Sequence, residues 1–172
     1  MKSKEYLFHV LRKTSLIPVI ICTALLQNST DSSSGVGVFL LVPLAVSIAM
    51  FEHEFSGMLY GLLCGALWDL SSAIPDGIYA LYFTVFSCVA GLLTHYILRN
   101  TLISALVLNI FGTLGVCVLN FIFNCLAKDA ADIWNTIKFF YIPSFILTVI
   151  TIPFIYFPVR FLERKLRIKT II

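Results

Sequence analysis

Long apolar segments follow one another along almost the whole chain. Polar tracts such as NSTDSSSG, EHE and SSAIPDG separate them, and none of these tracts is long enough to fold alone. A helix that spans a bilayer needs about 20 mostly apolar residues, or fewer where flanking Lys and Arg side chains reach back to the headgroups. The pattern therefore predicts six spanning helices. Their predicted ranges are 6–27, 35–51, 55–70, 77–98, 101–127 and 137–162.

The composition leads to the same class of protein. Of the 172 residues, 59% are hydrophobic and 12% are charged, which is about half the charged fraction of an average soluble domain. We therefore expect an all-α integral membrane protein, built as a single helix bundle over residues 1–172. The five cysteines lie inside apolar segments and have no CxxC or Cys/His spacing, which is typical of small packing residues.

The basic residues predict an orientation. Six spans place both termini on the same side of the membrane, and ten of the twelve Lys and Arg residues then share that side. Only Lys128 and Lys138 fall on the other. Cytoplasmic segments are enriched in Lys and Arg, so both termini are predicted to lie inside the cell. The C-terminal ERKLRIK either favours anionic headgroups of the inner leaflet or is a solvated basic tail that fixes topology.

Three glycines stand four residues apart in the segment GMLYGLLCGALWDL. Gly57, Gly61 and Gly65 are followed, after another four residues, by Asp69. Residues four apart advance about 400° around a helix, so the glycines form a nearly straight groove. In lipid such a groove lets another helix backbone approach closely. It is expected either to pack against a neighbouring helix of this chain or to bind a helix of another protein.

The end of this segment is predicted to lie at the outer rim of the membrane. Trp68 fits the aromatic belt at the membrane interface, and Gly77 fits the turn to the next helix. Asp69 is expected to be solvated, to fix the turn through Ser71 and Ser72, or to face a cavity. A role in proton transport is less favoured, because no other outer-side carboxylate is predicted to lie within a helix.

Small and polar side chains share faces of the later helices. These faces predict a bundle interior closed by side-chain hydrogen bonds, or alternatively the lining of a pocket for a polar ligand. No catalytic motif or metal-ligand spacing accompanies them, so we expect no enzyme activity, no metal, no cofactor and no nucleic-acid binding. The candidate residues are Ser87, Gly91, His95, Asn109, Asn120 and Asn124.

The segment from Pro43 to Asn100 resembles the MreD family, the integral membrane component of the bacterial rod-shape system. The matching features are an acidic turn, a glycine-spaced helix ending in Trp-Asp-Leu, a short turn with Gly77 and a following Ala-Leu helix. The LLQNST at the end of the first span and the chain length also fit.

The resemblance implies a multi-pass, non-enzymatic scaffold of the cell-elongation complex in the bacterial cytoplasmic membrane. Surrounded by membrane lipids, such a protein would bind MreC and help couple MreB filaments to the peptidoglycan synthases RodA and a class B penicillin-binding transpeptidase. The family is also distantly similar to the S components of energy-coupling-factor vitamin transporters, which are six-helix bundles.

That similarity supplies the alternative function, a substrate-binding S component. S components usually dock their transport module through an AxxxA motif on the first helix. Here the first predicted span has no such pattern, and the Ala45 to Ala49 pattern lies on the second, which weakens the transporter interpretation.

Overall fold

A computed structural model describes residues 16–29, 37–52, 54–72, 77–98, 101–127 and 140–168, with the backbone alone at 124–127 and 163–168. These ranges contain six helices and no strand, which confirms the all-helical prediction for the described part of the chain. The helices are α1 (Leu16–Ser29), α2 (Leu41–Phe51), α3 (Glu54–Ser71), α4 (Ile78–Tyr96), α5 (Leu102–Ala127) and α6 (Ile142–Ile168).

The short helix α2 lies at the centre of the bundle. Every residue from 41 to 50 is buried, and the helix packs against α3, α4, α5 and α6. Its sequence, LVPLAVSIAMF, contains Ser47 as its only polar residue, and a helix that is apolar on all sides is typically buried. The other five described helices surround α2 and turn large apolar side chains outward.

Proline explains why α2 begins later than the sequence predicts. The second span was expected to start at residue 35, but residues 37–40 are not helical and α2 starts at Leu41. A proline ring clashes with the carbonyl of the residue four positions earlier in a helix. Pro43 therefore prevents the helix from continuing back through Phe39, whereas Pro43 itself is acceptable within the first turn.

Three described helices are long and apolar enough to cross a membrane. They are α4, residues 102–123 of α5 and residues 142–162 of α6. α1 and α2 are shorter apolar helices, and α3 has 18 residues whose hydropathy is lowered by three glycines and two carboxylates. Residues 6–15 of the first predicted span lie outside the described residues. The count of six spans and the membrane orientation remain predictions.

The last helix extends beyond its predicted end. α6 continues to Ile168 rather than stopping at 162, and it includes Pro153 and Pro158. Each proline removes a backbone donor and weakens the helix locally. The residues after Pro158 are nevertheless good helix formers (Leu, Glu, Arg and Lys), so the helix can continue where the apolar pattern ends.

Candidate functional site: the glycine face of α3 and the helix caps around it

The glycine groove of α3 is filled by other helices of the same chain. A Cβ atom built on Gly65 would lie 2.5 Å from the Cα of Ala80 and 2.6 Å from the carbonyl oxygen of Tyr79, both in α4. A Cβ on Gly61 would lie 2.6 Å from the carbonyl oxygen of Phe83. Real Cβ atoms do not make contacts this short, so the α4 backbone occupies the space that a side chain would need.

The groove passes from α4 to α2 at its other end. A Cβ on Gly57 would meet Ala49 of α2, at 3.0 Å from its Cα. Gly91 of α4 lies close to the same place, because its Cβ would meet the Ala49 carbonyl oxygen and the Glu54 Cα at 3.4 Å each. The glycines therefore join α2, α3 and α4 into one closely packed unit, and no helix of another protein can enter the groove while this unit is intact.

Asp69 caps the start of α4. Its side chain is 7% exposed, and its two carboxylate oxygens accept the backbone N–H groups of Tyr79, at 3.3 Å, and Ala80, at 2.8 Å. These are N–H groups of the first helical turn, which have no partner inside the helix, and a negative charge is favourable there. The expectation that Asp69 fixes the turn through Ser71 and Ser72 is wrong about the partner: the Ser72 hydroxyl bonds the Asp69 main-chain carbonyl, and the carboxylate bonds α4.

Gly77 makes this cap sterically possible. It is the residue before α4 and has a φ of +70°, a left-handed conformation that costs an L-residue energy and glycine very little. The turn lets the chain leave α3 at Ser72 and return so that the first N–H groups of α4 point at Asp69. Gly77 itself is exposed and has open space around its Cα, so its conformation rather than packing requires glycine.

Trp68 is buried, contrary to its expected place in an interfacial aromatic belt. Its side chain is 7% exposed, and its ring lies 5.3 to 5.7 Å, between centroids, from the rings of Phe39, Tyr79 and Phe83. The glycine face explains the difference. Trp68 follows Gly65 by three residues and so lies on the same side of α3, which faces the start of α4. Trp68 thus belongs to the core at the Asp69 end of the bundle.

Two further side chains cap α2 at the same end, a role that the sequence did not predict for them. Gln27 of α1, 4% exposed, accepts the N–H of Leu41 through Oε1 at 3.0 Å. Thr148 of α6, fully buried, accepts the N–H of Phe39 through Oγ1 at 3.1 Å. Because the start of α2 is buried, water cannot satisfy these donors. The weak signal in the sequence was a lone glutamine at the end of an apolar segment.

The predicted polar interior is brought together only in part. Ser87 and Asn109 are buried, and the Asn109 amide donates to the Ala105 carbonyl of its own helix at 2.8 Å. Asn120 is half-buried and the side chain of Asn124 lies outside the described residues. His95 is exposed and its ring packs edge-on against Tyr96, so its assignment to the interior is wrong. The helical offset placed His95 on the Ser87 face, but α4 ends one residue later and leaves it uncovered.

Four buried polar atoms have no hydrogen-bond partner within the described part of the chain. They lie on four different helices, α2, α4, α5 and α6. The described residues contain no group of three His, Cys, Asp or Glu side chains that could hold a metal ion. The atoms are Ser47 Oγ, Ser87 Oγ, Asn109 Oδ1 and Ser144 Oγ.

A comparison with known protein families identifies the family of this chain. The family model of the rod shape-determining protein MreD matches residues 5–166, nearly the whole chain. The chain belongs to the MreD family. The resemblance seen in the segment from Pro43 to Asn100 is thereby confirmed and extended to both ends, and the chain is a rod shape-determining membrane protein. No curated protein and no solved structure gives a significant match.

In this MreD-family chain, α4 and α5 meet through aromatic side chains. Tyr82 and Phe86 of α4 stack with their rings 5.7 Å apart, and the Tyr82 hydroxyl donates to the Gly112 carbonyl at 2.9 Å. Gly112 and Gly115 of α5 provide the space, because a Cβ on Gly112 would collide with Phe86 and one on Gly115 with Tyr82. Aromatic side chains therefore separate α5 from α4, whereas the backbones of α3 and α4 are in direct contact.

Proposed function

We propose that this chain is a multi-pass scaffold of the cell-elongation complex in the bacterial cytoplasmic membrane, without chemistry of its own. It would bind MreC and help couple MreB filaments to RodA and the class B penicillin-binding transpeptidase, and so regulate cell shape. The observation that carries the proposal is the family match over residues 5–166.

The packing indicates how such a scaffold would meet its partners. The glycine face of α3 is occupied by α4 and α2, so partner helices would bind the outward faces. Large apolar side chains are exposed along α4, α5 and α6, including Leu81, Phe111 and Phe154 at 65 to 74%. In a bilayer such faces contact lipid or other transmembrane helices with similar ease, which suits a protein that assembles with several membrane partners.

The decisive experiment is purification of a native complex. The full chain carrying an affinity tag is expressed from its own locus and extracted in a mild detergent, and the proteins retained are identified by mass spectrometry. We expect an MreC-like bitopic protein to be recovered near one-to-one, with wall-synthesis enzymes in smaller amounts. A tagged, unrelated membrane protein of similar size serves as the control.

The same experiment can contradict the proposal. Recovery of an ATP-binding cassette module and a bound vitamin, with no wall-synthesis protein, would show an S component of a transporter instead. Depletion of the chain gives an independent reading, because loss of a shape scaffold should turn rod-shaped cells into spheres without creating a vitamin requirement.

A further inference from the structure

We propose that the far end of α6 binds an anionic phospholipid, with the lipid phosphate at Arg160 and an acyl chain along a neighbouring stripe of phenylalanines. The site is an open groove lined by Phe157, Pro158, Arg160 and Phe161. This inference concerns the chain's contact with the bilayer and does not depend on which proteins it binds.

The position of Arg160 along α6 matches the edge of the hydrocarbon layer. Residues 139–159 contain no charged side chain, and Arg160 is the first one after them. A rise of about 1.5 Å per residue puts Arg160 about 27 Å from Ile142 along the helix axis, close to the roughly 30 Å of bilayer hydrocarbon. One turn before Arg160, Tyr156 packs against Phe51, the last residue of α2. Arg160 therefore lies just past the end of the bundle core.

The Arg160 guanidinium is oriented by an aromatic ring. It lies over the Tyr156 ring, 5.8 Å from the centroid, a cation–π contact that orients the side chain. Within the described residues no carboxylate pairs with it. A guanidinium presents several N–H donors in a planar fork that matches a phosphate group, so the oriented side chain still has donors to offer a ligand.

The phenylalanine stripe provides the apolar half of the site. Ile150, Phe154, Phe157 and Phe161 are 55 to 74% exposed and follow one another at offsets of 4, 3 and 4 residues, which keeps them on one face. The stripe runs from within the hydrocarbon layer to its edge, beside Arg160. It therefore offers an acyl chain a continuous surface that ends where the headgroup begins.

The helix register extends the positive charge beyond the groove. Because α6 is helical to Ile168, positions 164 and 167 follow Arg160 by one and two turns on the same side of the helix. Both are arginine. Basic residues clustered next to a membrane-spanning helix attract anionic lipids, and the sequence after position 159 contains five basic residues and one acidic residue, which favours phosphatidylglycerol or cardiolipin over a zwitterionic lipid.

Native mass spectrometry of the purified full-length chain tests the site. The protein is delipidated in detergent and titrated with phosphatidylglycerol or phosphatidylcholine carrying the same acyl chains. We expect phosphatidylglycerol to bind more tightly. Arg160→Gln should weaken that binding about fivefold, the loss expected for one basic residue at an anionic lipid surface, and Arg160→Lys, which keeps the charge but not the planar fork, should weaken it less.

Lys128→Gln is the matched control, because it removes one positive charge that the charge pattern predicts on the opposite side of the membrane. It should leave phosphatidylglycerol binding within about twofold of the parent chain, as expected for a charge far from Arg160. Equal binding of the two lipids, or equal losses in Arg160→Gln and Lys128→Gln, would overturn the proposal.

A second measurement needs no variant and so does not depend on folding of Arg160→Gln. The unmodified chain in vesicles is irradiated with photoactivatable phosphatidylglycerol, and the labelled peptides are mapped. Labelling concentrated between residues 150 and 164 supports the site. Labelling spread evenly over all outward-facing helices overturns it, as does protection of this segment by an acidic helix of a co-purified protein, which would make a protein carboxylate the true occupant.

Discussion

Gly65→Ala is the most informative single substitution in the glycine face. The added methyl group would lie 2.5 Å from the Cα of Ala80, 2.9 Å from its nitrogen and 2.6 Å from the Tyr79 carbonyl oxygen. All three atoms belong to the backbone of α4, so no side-chain rotation can relieve the contact. Ordinary van der Waals contact begins at 3.4 Å, and α4 must therefore move away by about 0.9 Å (3.4 minus 2.5) or α3 must tilt.

The expected loss of stability combines three effects. Overpacking of this kind costs about 1–3 kcal/mol, and alanine returns up to about 1 kcal/mol as the better helix former. Moving Ala80 also stretches its 2.8 Å hydrogen bond to the Asp69 carboxylate, a charge-assisted bond whose loss costs about 1.5–3 kcal/mol. Together these give a net destabilisation of about 2–4 kcal/mol.

Gly57→Ala provides the matched control on the same helix. Its methyl group would lie 3.0 Å from the Ala49 Cα and 3.2 Å from its Cβ, near the last turn of α2, where a shift of a few tenths of an ångström suffices. The gain in helix propensity is the same at both positions. We expect Gly57→Ala to stay within about 1 kcal/mol of the parent chain.

Unfolding of both variants is followed by far-UV circular dichroism during SDS titration in mixed micelles. The midpoint should fall clearly for Gly65→Ala and little for Gly57→Ala. Equal midpoints for the two variants would refute the reasoning, because they would mean that the α4 backbone does not constrain the groove at Gly65.

The same titration tests the helix caps. Asp69→Ala should cost about 1–3 kcal/mol by leaving two N–H groups of α4 unpaired, and Asp69→Asn less. Ser71→Ala should cost less than about 1 kcal/mol, because it removes only solvent-exposed hydrogen bonds with Asn28 and the Leu67 carbonyl. Thr148→Val keeps the shape but leaves the buried Phe39 N–H unpaired, at about 1–3 kcal/mol. Thr151→Val removes only a bond within its own helix, and an equal loss there would exclude the proposed cap.

The sequence allowed prediction of the features that depend on local spacing. The apolar pattern was sufficient for the all-helical class, and the four-residue spacing of Gly57, Gly61 and Gly65 was sufficient for one close-packing face. The sequence left open whether the groove is filled by this chain, because that depends on whether α4, after Gly77, packs back along α3. The left-handed turn at Gly77 and the Asp69 cap determine that return.

The incorrect expectations concern residues whose surroundings come from distant elements. Trp68 was assigned to the membrane interface because it is a tryptophan near a helix end, yet Phe39, which precedes α2, and two α4 rings enclose it. His95 was assigned to the interior by helical offset, yet it lies in the last turn of α4 and is exposed. In both cases the helix itself was predicted correctly, but the sequence did not show which neighbouring element would cover the side chain.

The capping roles of Gln27 and Thr148 were not predicted for a related reason. A glutamine or threonine in an apolar segment has many uses, and only the interrupted start of α2 creates the buried donors that these two side chains satisfy. Pro43 was the one indication in the sequence. A proline is accepted in the first turn of a helix but not further along it, so the helix must begin only a few residues before Pro43. A helix that begins inside a bundle needs caps from its neighbours.

The caps together show how hydrogen bonds between different helices give rigidity to one end of the described bundle. Side chains from α1 and α6 close the start of α2, and one from α3 closes the start of α4. Each bond joins helices that are distant in sequence or separated by a turn, and all lie at the Asp69 end. In lipid, hydrogen bonds and close packing must replace the hydrophobic effect between helices. A fixed end of this kind holds α4 and α6 in place relative to α2 and α3, as the scaffold proposed above would require.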